Sequence, residues 1–135
     1  GSKLNPRLRE LAILQVGWLA RSPYEWSHHV KIGRDFGVAD ADIEGLIADT
    51  AGQASGLDVE ARAVLAAARE MTAGLAASDA SFAALRGFLD EADVTDLVLT
   101  IAFYNAVVRF LATMRIDVEP EYQPYLDRFP LPGEA

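Results

Sequence analysis

No cysteine occurs among the 135 residues. That excludes disulfides, zinc–thiolate and iron–sulfur sites, and every thiol-based catalyst. Basic residues are scarce: 12 Lys+Arg against 20 Asp+Glu leave a net charge of −8 with His neutral. The chain therefore lacks the basic footprint that nucleic acid or an anionic membrane demands. No apolar run approaches the roughly 18 residues of a membrane span without a charge or strong polar group. No basic stretch leads into an apolar segment in the manner of a secretory signal, which predicts a cytoplasmic location. Period-two alternation is missing as well, so no strands are expected.

What is there is helix and apolar surface. Hydrophobic residues make up 51% of the chain, well above a disordered composition. The length suits one domain able to bury roughly two thirds of its unfolded surface. Gly1-Ser2 reads as a remnant of recombinant expression. Asn5-Pro6 is an N-cap followed by proline at the first helical position, which starts a first helix running to about Ala20. Ser22-Pro23-Tyr24-Glu25 repeats that signal with a capping box and opens a second helix to Phe36, with Gly37 beyond it. Asp40 caps a third helix to about Ala48, and Asp58 a fourth over Val59–Ala73. Ser78 or Asp79 caps a fifth through Phe88, and the sixth spans about Val94–Met114.

These signals predict an all-α, single-domain bundle of about six helices over residues 4–118, with a Pro/Tyr-rich tail over 119–135. The tail holds four of the six prolines, and Tyr122, Tyr125, Leu126 and Phe129 suit an extended segment packed on the body or a neighbouring subunit. The sixth helix is apolar all round and should be buried on every side. A domain of this size rarely encloses one helix completely, so oligomerisation is expected.

Chemistry concentrates on the second helix. Glu25 and His29 are four residues apart and share a face. A carboxylate beside an imidazole fixes its tautomer and orientation. Ser22 lies one turn earlier at the positive helix terminus. Glu10 is a carboxylate among leucines, either a lone misfit or half of a functional pair. Structural readings stand beside these. Glu25 is also the third residue of a capping box, and His29 can be a satisfied core histidine. Arg109 can be a buried ion-pair partner of Glu10 or Asp96. Trp18 and Trp26 read as core or interface aromatics, and His28, about 100° round the helix, as exposed or at an interface. Adjacent histidines cannot both face one ion from a helix, so no metal site is expected of Glu25, His28 and His29.

At Pro6–Leu14, Tyr24-Glu25-Trp26, His28-His29, Gly37-Val38, Asp42-Ile43-Glu44 and Tyr104-Asn105 the sequence resembles the carboxymuconolactone decarboxylase and alkyl hydroperoxidase D-like superfamily. The peroxidase branch has a glutamate, twelve residues on a C-x-x-C pair, then a histidine four residues later. Here Glu10 and His29 match, while Ser22 and Glu25 stand at the two cysteine positions. Thiol peroxidase chemistry is thereby excluded. The decarboxylase branch is similar in carrying a glutamate four residues before the histidine. That resemblance implies a cofactor-free acid/base lyase or isomerase acting on a small carboxylated or lactone substrate. His29 would shuttle the proton and Glu25 or Glu10 would orient it. Ser22 joins the substrate-binding set, Tyr104 or Asn105 would donate to an oxyanion, and Arg109 would clamp a carboxylate. It also implies a homo-oligomer, a trimer or hexamer with a dimer as the smaller option. The alternative is a non-catalytic ligand-binding or assembly protein on the same fold.

Overall fold

The computed structural model describes residues 3–133; Gly1-Ser2 and the last two residues lie outside them. Seven α-helices follow in order: α1 (Pro6–Leu19), α2 (Pro23–Asp35), α3 (Asp40–Thr50), α4 (Val59–Ala73), α5 (Asp79–Arg86), α6 (Glu91–Thr113) and α7 (Gln123–Arg128). A short 3₁₀ turn, Pro120–Tyr122, precedes α7. The described residues contain no strand.

Capping explains most of the boundaries. Asn5 Oδ1 accepts from Arg7 N at 2.8 Å, and Ser22 Oγ accepts from Glu25 N at 3.4 Å. Asp58, Ser78 and Asp90 each accept a backbone N–H three residues on. Three boundaries correct the expected ones. The third helix is capped by Ala39, not Asp40, because Asp42 reaches back to the Ala39 N–H, and it continues to Thr50. The fifth stops at Arg86. The sixth begins at Glu91, since the Asp90 cap adds a turn of charged residues before the apolar run.

The central helix is α1, which packs against α2, α3, α4 and α6. It is buried from Leu8 to Gly17 except at Arg9, so Glu10 and Gln15 lie inside the core with Leu11, Leu14 and Val16. The most apolar helix, α6, is peripheral: it buries Val94, Leu97, Ile101 and Val108 against the body. Leu99, Phe103 and Phe110 on its other side stay 64%, 62% and 59% exposed. The expectation of a helix enclosed on all sides is thus not met within one chain. Arg7 ties three helix starts together, gripping Asp42 with Nε and Nη2 at 3.0 and 2.8 Å and Asp58 with Nη2 at 2.8 Å. Both carboxylates are held below their usual range, chiefly by their hydrogen bonds from Arg7.

The tail packs on the body but is not extended, because Pro120 and Pro124 each open a helical turn. Trp26 Nε1 donates to the Phe129 carbonyl at 2.9 Å, and Leu126 and Phe129 are buried. His28 is neither exposed nor free. Its ring is stacked between Tyr24 and Tyr122 at centroid distances of 4.1 and 3.7 Å. Its Nε2 lies 2.7 Å from Glu119 Oε2, and the Tyr24 hydroxyl donates to Oε1 at 3.2 Å. The His28 bond is the main cause holding the Glu119 carboxyl below its ordinary 4.5. A depressed carboxyl supports the fold above its unfolded pKa and loses that support as pH falls through the folded value. Acidification below about 4.5 should therefore loosen residues 119–129 before the body, seen as faster amide exchange there. Glu119→Gln should remove that acid-side sensitivity.

Candidate active site

The site forms where α1, α2 and α6 meet. A tight connection sets α1 and α2 side by side: Arg21 takes a left-handed conformation (φ 52°), and Ser22 N donates back to the Gly17 carbonyl at 3.0 Å. This turn brings the middle of α1 opposite the first turns of α2. Glu10, Glu25 and His29 then converge, with only 2%, 2% and 8% of their surfaces exposed.

His29 is held from both ring nitrogens. Nδ1 lies 2.7 Å from Glu10 Oε1, and Nε2 lies 3.1 Å from Glu25 Oε1. The first contact is an aligned hydrogen bond. The second is close without that alignment, and both Glu25 oxygens are buried with no hydrogen bond. Arg9 Nε donates to the other Glu10 oxygen at 3.1 Å, and its guanidinium lies 4.8 Å over the Phe36 ring. Glu10 is therefore positioned from two sides, by a cation and by an imidazole.

Glu25 differs sharply from Glu10. Burial, followed by the nearby Glu10 charge, pushes its carboxyl well above the ordinary 4.5. A buried carboxyl beside another carboxylate keeps its proton more readily. The 2.7 Å contact between Nδ1 and Glu10 fixes the orientation of the ring. The three side chains thus lie in the order Glu25, His29, Glu10, with 3.1 and 2.7 Å between their nearest polar atoms.

Space for that carboxyl comes from a glycine. A Cβ built at Gly17 falls 2.8 Å from Glu25 Oε2. Gly17→Ala should destabilise by ~1 kcal/mol through overpacking, although alanine is the better helix former by a similar amount. In a Glu25→Ala background the same substitution should become stabilising, and thermal melts of the four proteins measure the coupling. Gly17 and Arg9 escaped the sequence reading. The available signal was a glycine inside an apolar helix, where it costs roughly 1 kcal/mol against alanine.

The His29 ring opens onto a cleft of about 130 Å³. Ile32, Val107 and Leu111 supply apolar wall; Tyr24, His28 and Tyr104 supply polar groups. Tyr104 meets His29 edge-on at 5.1 Å. Burial, then the charges of Glu25 and Glu10, raise the Tyr104 phenol above its ordinary 10.0, so it stays protonated and can donate.

The remaining sequence candidates lie elsewhere. Ser22 caps α2 and lines an adjoining depression with Arg21, Pro23 and Leu111. Asn105 Nδ2 donates to Thr72 Oγ1 at 3.1 Å and to the Ile101 carbonyl at 3.0 Å, bracing α6 against α4. Arg109 is exposed and folds back onto Asn105, with Nη1 donating to its carbonyl and Oδ1 at 2.9 Å each. Arg109 lines a separate hollow with Leu19, Thr72 and Val108, away from His29. The cation beside Glu10 is Arg9. Among the described residues, no lysine or arginine lines the His29 cleft.

Comparison with known proteins fits this geometry. No curated protein matches the chain. A family model described as "Carboxymuconolactone decarboxylase family" matches residues 1–70, just over half the chain and the part that contains Glu10, Gly17, Glu25 and His29. With its all-helical fold and its cysteine-free histidine–carboxyl site on the first two helices, the chain belongs to the carboxymuconolactone decarboxylase family.

Proposed function

We propose that this protein is a cofactor-independent acid/base lyase or isomerase whose substrate is a small lactone or keto compound. The observation that carries this reading is His29, fixed between an ion-paired carboxylate and a proton-holding carboxyl at the mouth of a small cleft. Such a relay can take a proton from carbon and return one, which is what double-bond migration or protonation of a dienolate needs. In a decarboxylation, the bond to the carboxylate carbon breaks and carbon dioxide leaves. The electron pair passes into the conjugated lactone carbonyl. Glu25 passes its proton to His29 Nε2, which delivers it to the ring carbon, and solvent water then reprotonates Glu25. The Tyr104 hydroxyl is the donor available to the carbonyl oxygen as charge gathers there.

The lining also bears on substrate charge. With two carboxyl groups behind His29 and no arginine or lysine among the described residues that line the cleft, a polyanionic substrate meets little stabilisation there. This favours a neutral or singly charged lactone. A panel of unsaturated γ-lactones, their monocarboxylates and β-keto acids, followed by NMR, tests the proposal. Turnover of at least one neutral or monoanionic member is expected. The second reading, ligand binding without catalysis, is favoured by the capping role of Ser22, whose hydroxyl serves the start of α2 rather than the cleft. It would be shown by shifts at Tyr104 and His29 with no product from any member.

A further inference from the structure

We infer that the His29 cleft is the inner end of a longer substrate groove whose outer end carries Arg21, and that this groove takes a lactone bearing one carboxylate on a short flexible arm. The inference rests on the acid/base reading above and names a substrate class for that site. The cleft, of about 130 Å³, and the adjoining depression, of about 170 Å³, share two wall residues, Tyr24 and Leu111. One ligand can therefore lie across both. Ala112, Ile116 and Val118 of the depression continue the apolar wall that Val107 and Leu111 begin in the cleft.

The two ends differ in what they ask of a ligand. Glu25 lines the inner end, 2% exposed, with both carboxyl oxygens lacking a hydrogen bond. Buried oxygens without a partner are costly, and a ligand hydroxyl or the enol of a keto lactone supplies one. Arg21 lines the outer end and is exposed. Arginines elsewhere close on carboxylates, as Arg7, Arg69 and Arg128 do. Among the described residues Arg21 closes on none, although Asp117 shares its depression. A guanidinium at the end of an apolar passage suits a carboxylate, which it can meet with two parallel N–H groups. Spacing sets the arm. Ser22 and His29 are seven residues apart, about 10 Å along the α2 axis. A bare lactone ring is too short to touch both ends, and a ring with a carboxyl-terminated arm of two or three carbons reaches both. A second carboxylate, on the ring itself, would fall beside Glu10 and Glu25 and be repelled.

The backbone at Arg21 provides a variant that keeps the fold. Its φ of 52° is one that glycine adopts without strain, so Arg21→Gly removes the guanidinium and leaves the turn intact. The probes are a butenolide carrying a propanoate arm and the neutral methyl ester of that acid. Both are titrated by NMR into the wild type and into His29→Asn, where no turnover disturbs the reading. The acid should bind at least five-fold more tightly than the ester in both proteins, with shifts at Tyr24 and Leu111 as well as at Tyr104. Arg21→Gly should bring the affinity for the acid down to that for the ester while melting no lower than the wild type. Asp117→Asn should tighten the acid about two-fold by removing a like charge. Equal affinity for acid and ester overturns the inference, as does a preference that survives Arg21→Gly, or binding of neither probe. Those results would leave the acid/base reading to the neutral lactones of the panel. An Arg21-dependent preference without turnover of any panel member would uphold the groove and remove the lyase.

Discussion

His29→Ala and His29→Asn are both expected to lower turnover by about 10²–10⁴-fold, the range that general acid–base catalysis contributes. The pair separates chemistry from architecture. His29 Nδ1 is bonded to Glu10 at 2.7 Å, so alanine leaves a buried carboxyl oxygen without its partner and should cost stability as well as activity. The asparagine amide can occupy the place of Nδ1 and still donate to Glu10, but it offers nothing in place of Nε2. The asparagine variant should therefore melt close to the wild type while remaining inactive. Retained activity in the asparagine variant would remove Nε2 from the mechanism. Failure of both variants to fold would make His29 a structural histidine.

Glu25→Gln is expected to raise stability at neutral pH by about 1 kcal/mol while cutting turnover at least ten-fold. The two effects have one cause. Both Glu25 oxygens are buried without a hydrogen bond, and burial holds the carboxyl well above the ordinary 4.5. A raised acid means that the folded chain keeps a proton the unfolded chain has released. Glu25's contribution to stability therefore declines as pH climbs from about 4.5 toward the folded value. Glutamine cannot ionise, so the variant should lose that decline and melt higher near pH 7. It can still donate to His29 Nε2, but it cannot hand over a proton. Denaturant melts of both proteins across the pH range check the prediction. A variant less stable than the wild type at every pH would contradict a proton-holding Glu25 carboxyl.

The local signals were legible where a helix start depends on one side chain. Asn5, Ser22 and Asp58 cap the helices their positions announce, and Glu10, Glu25 and His29 meet as the family spacing implies. What escaped was decided by tertiary packing. α6 carries the more apolar sequence, yet α1 occupies the centre, because several helices can cover a short helix more completely than one 23-residue helix. His28 read as exposed or at an interface from its place on the helix, but the partners that cover it within the chain, Tyr122 and Glu119, lie more than 90 residues away. Arg109 matched a clamp in type and spacing along the chain, while the rotation of α6 turns it to another hollow. Gly17 became legible only once the Glu25 carboxyl was seen above it.

The central claim is that Glu10, His29 and Glu25 move a proton to and from carbon. Turnover of an unsaturated γ-lactone followed by NMR in deuterium oxide tests it most directly. Deuterium should enter the product at the carbon that gains a proton, at the enzymatic rate, and His29→Asn should abolish both product and label. Product formed with no solvent deuterium at carbon, or formed equally well by His29→Asn, would contradict it.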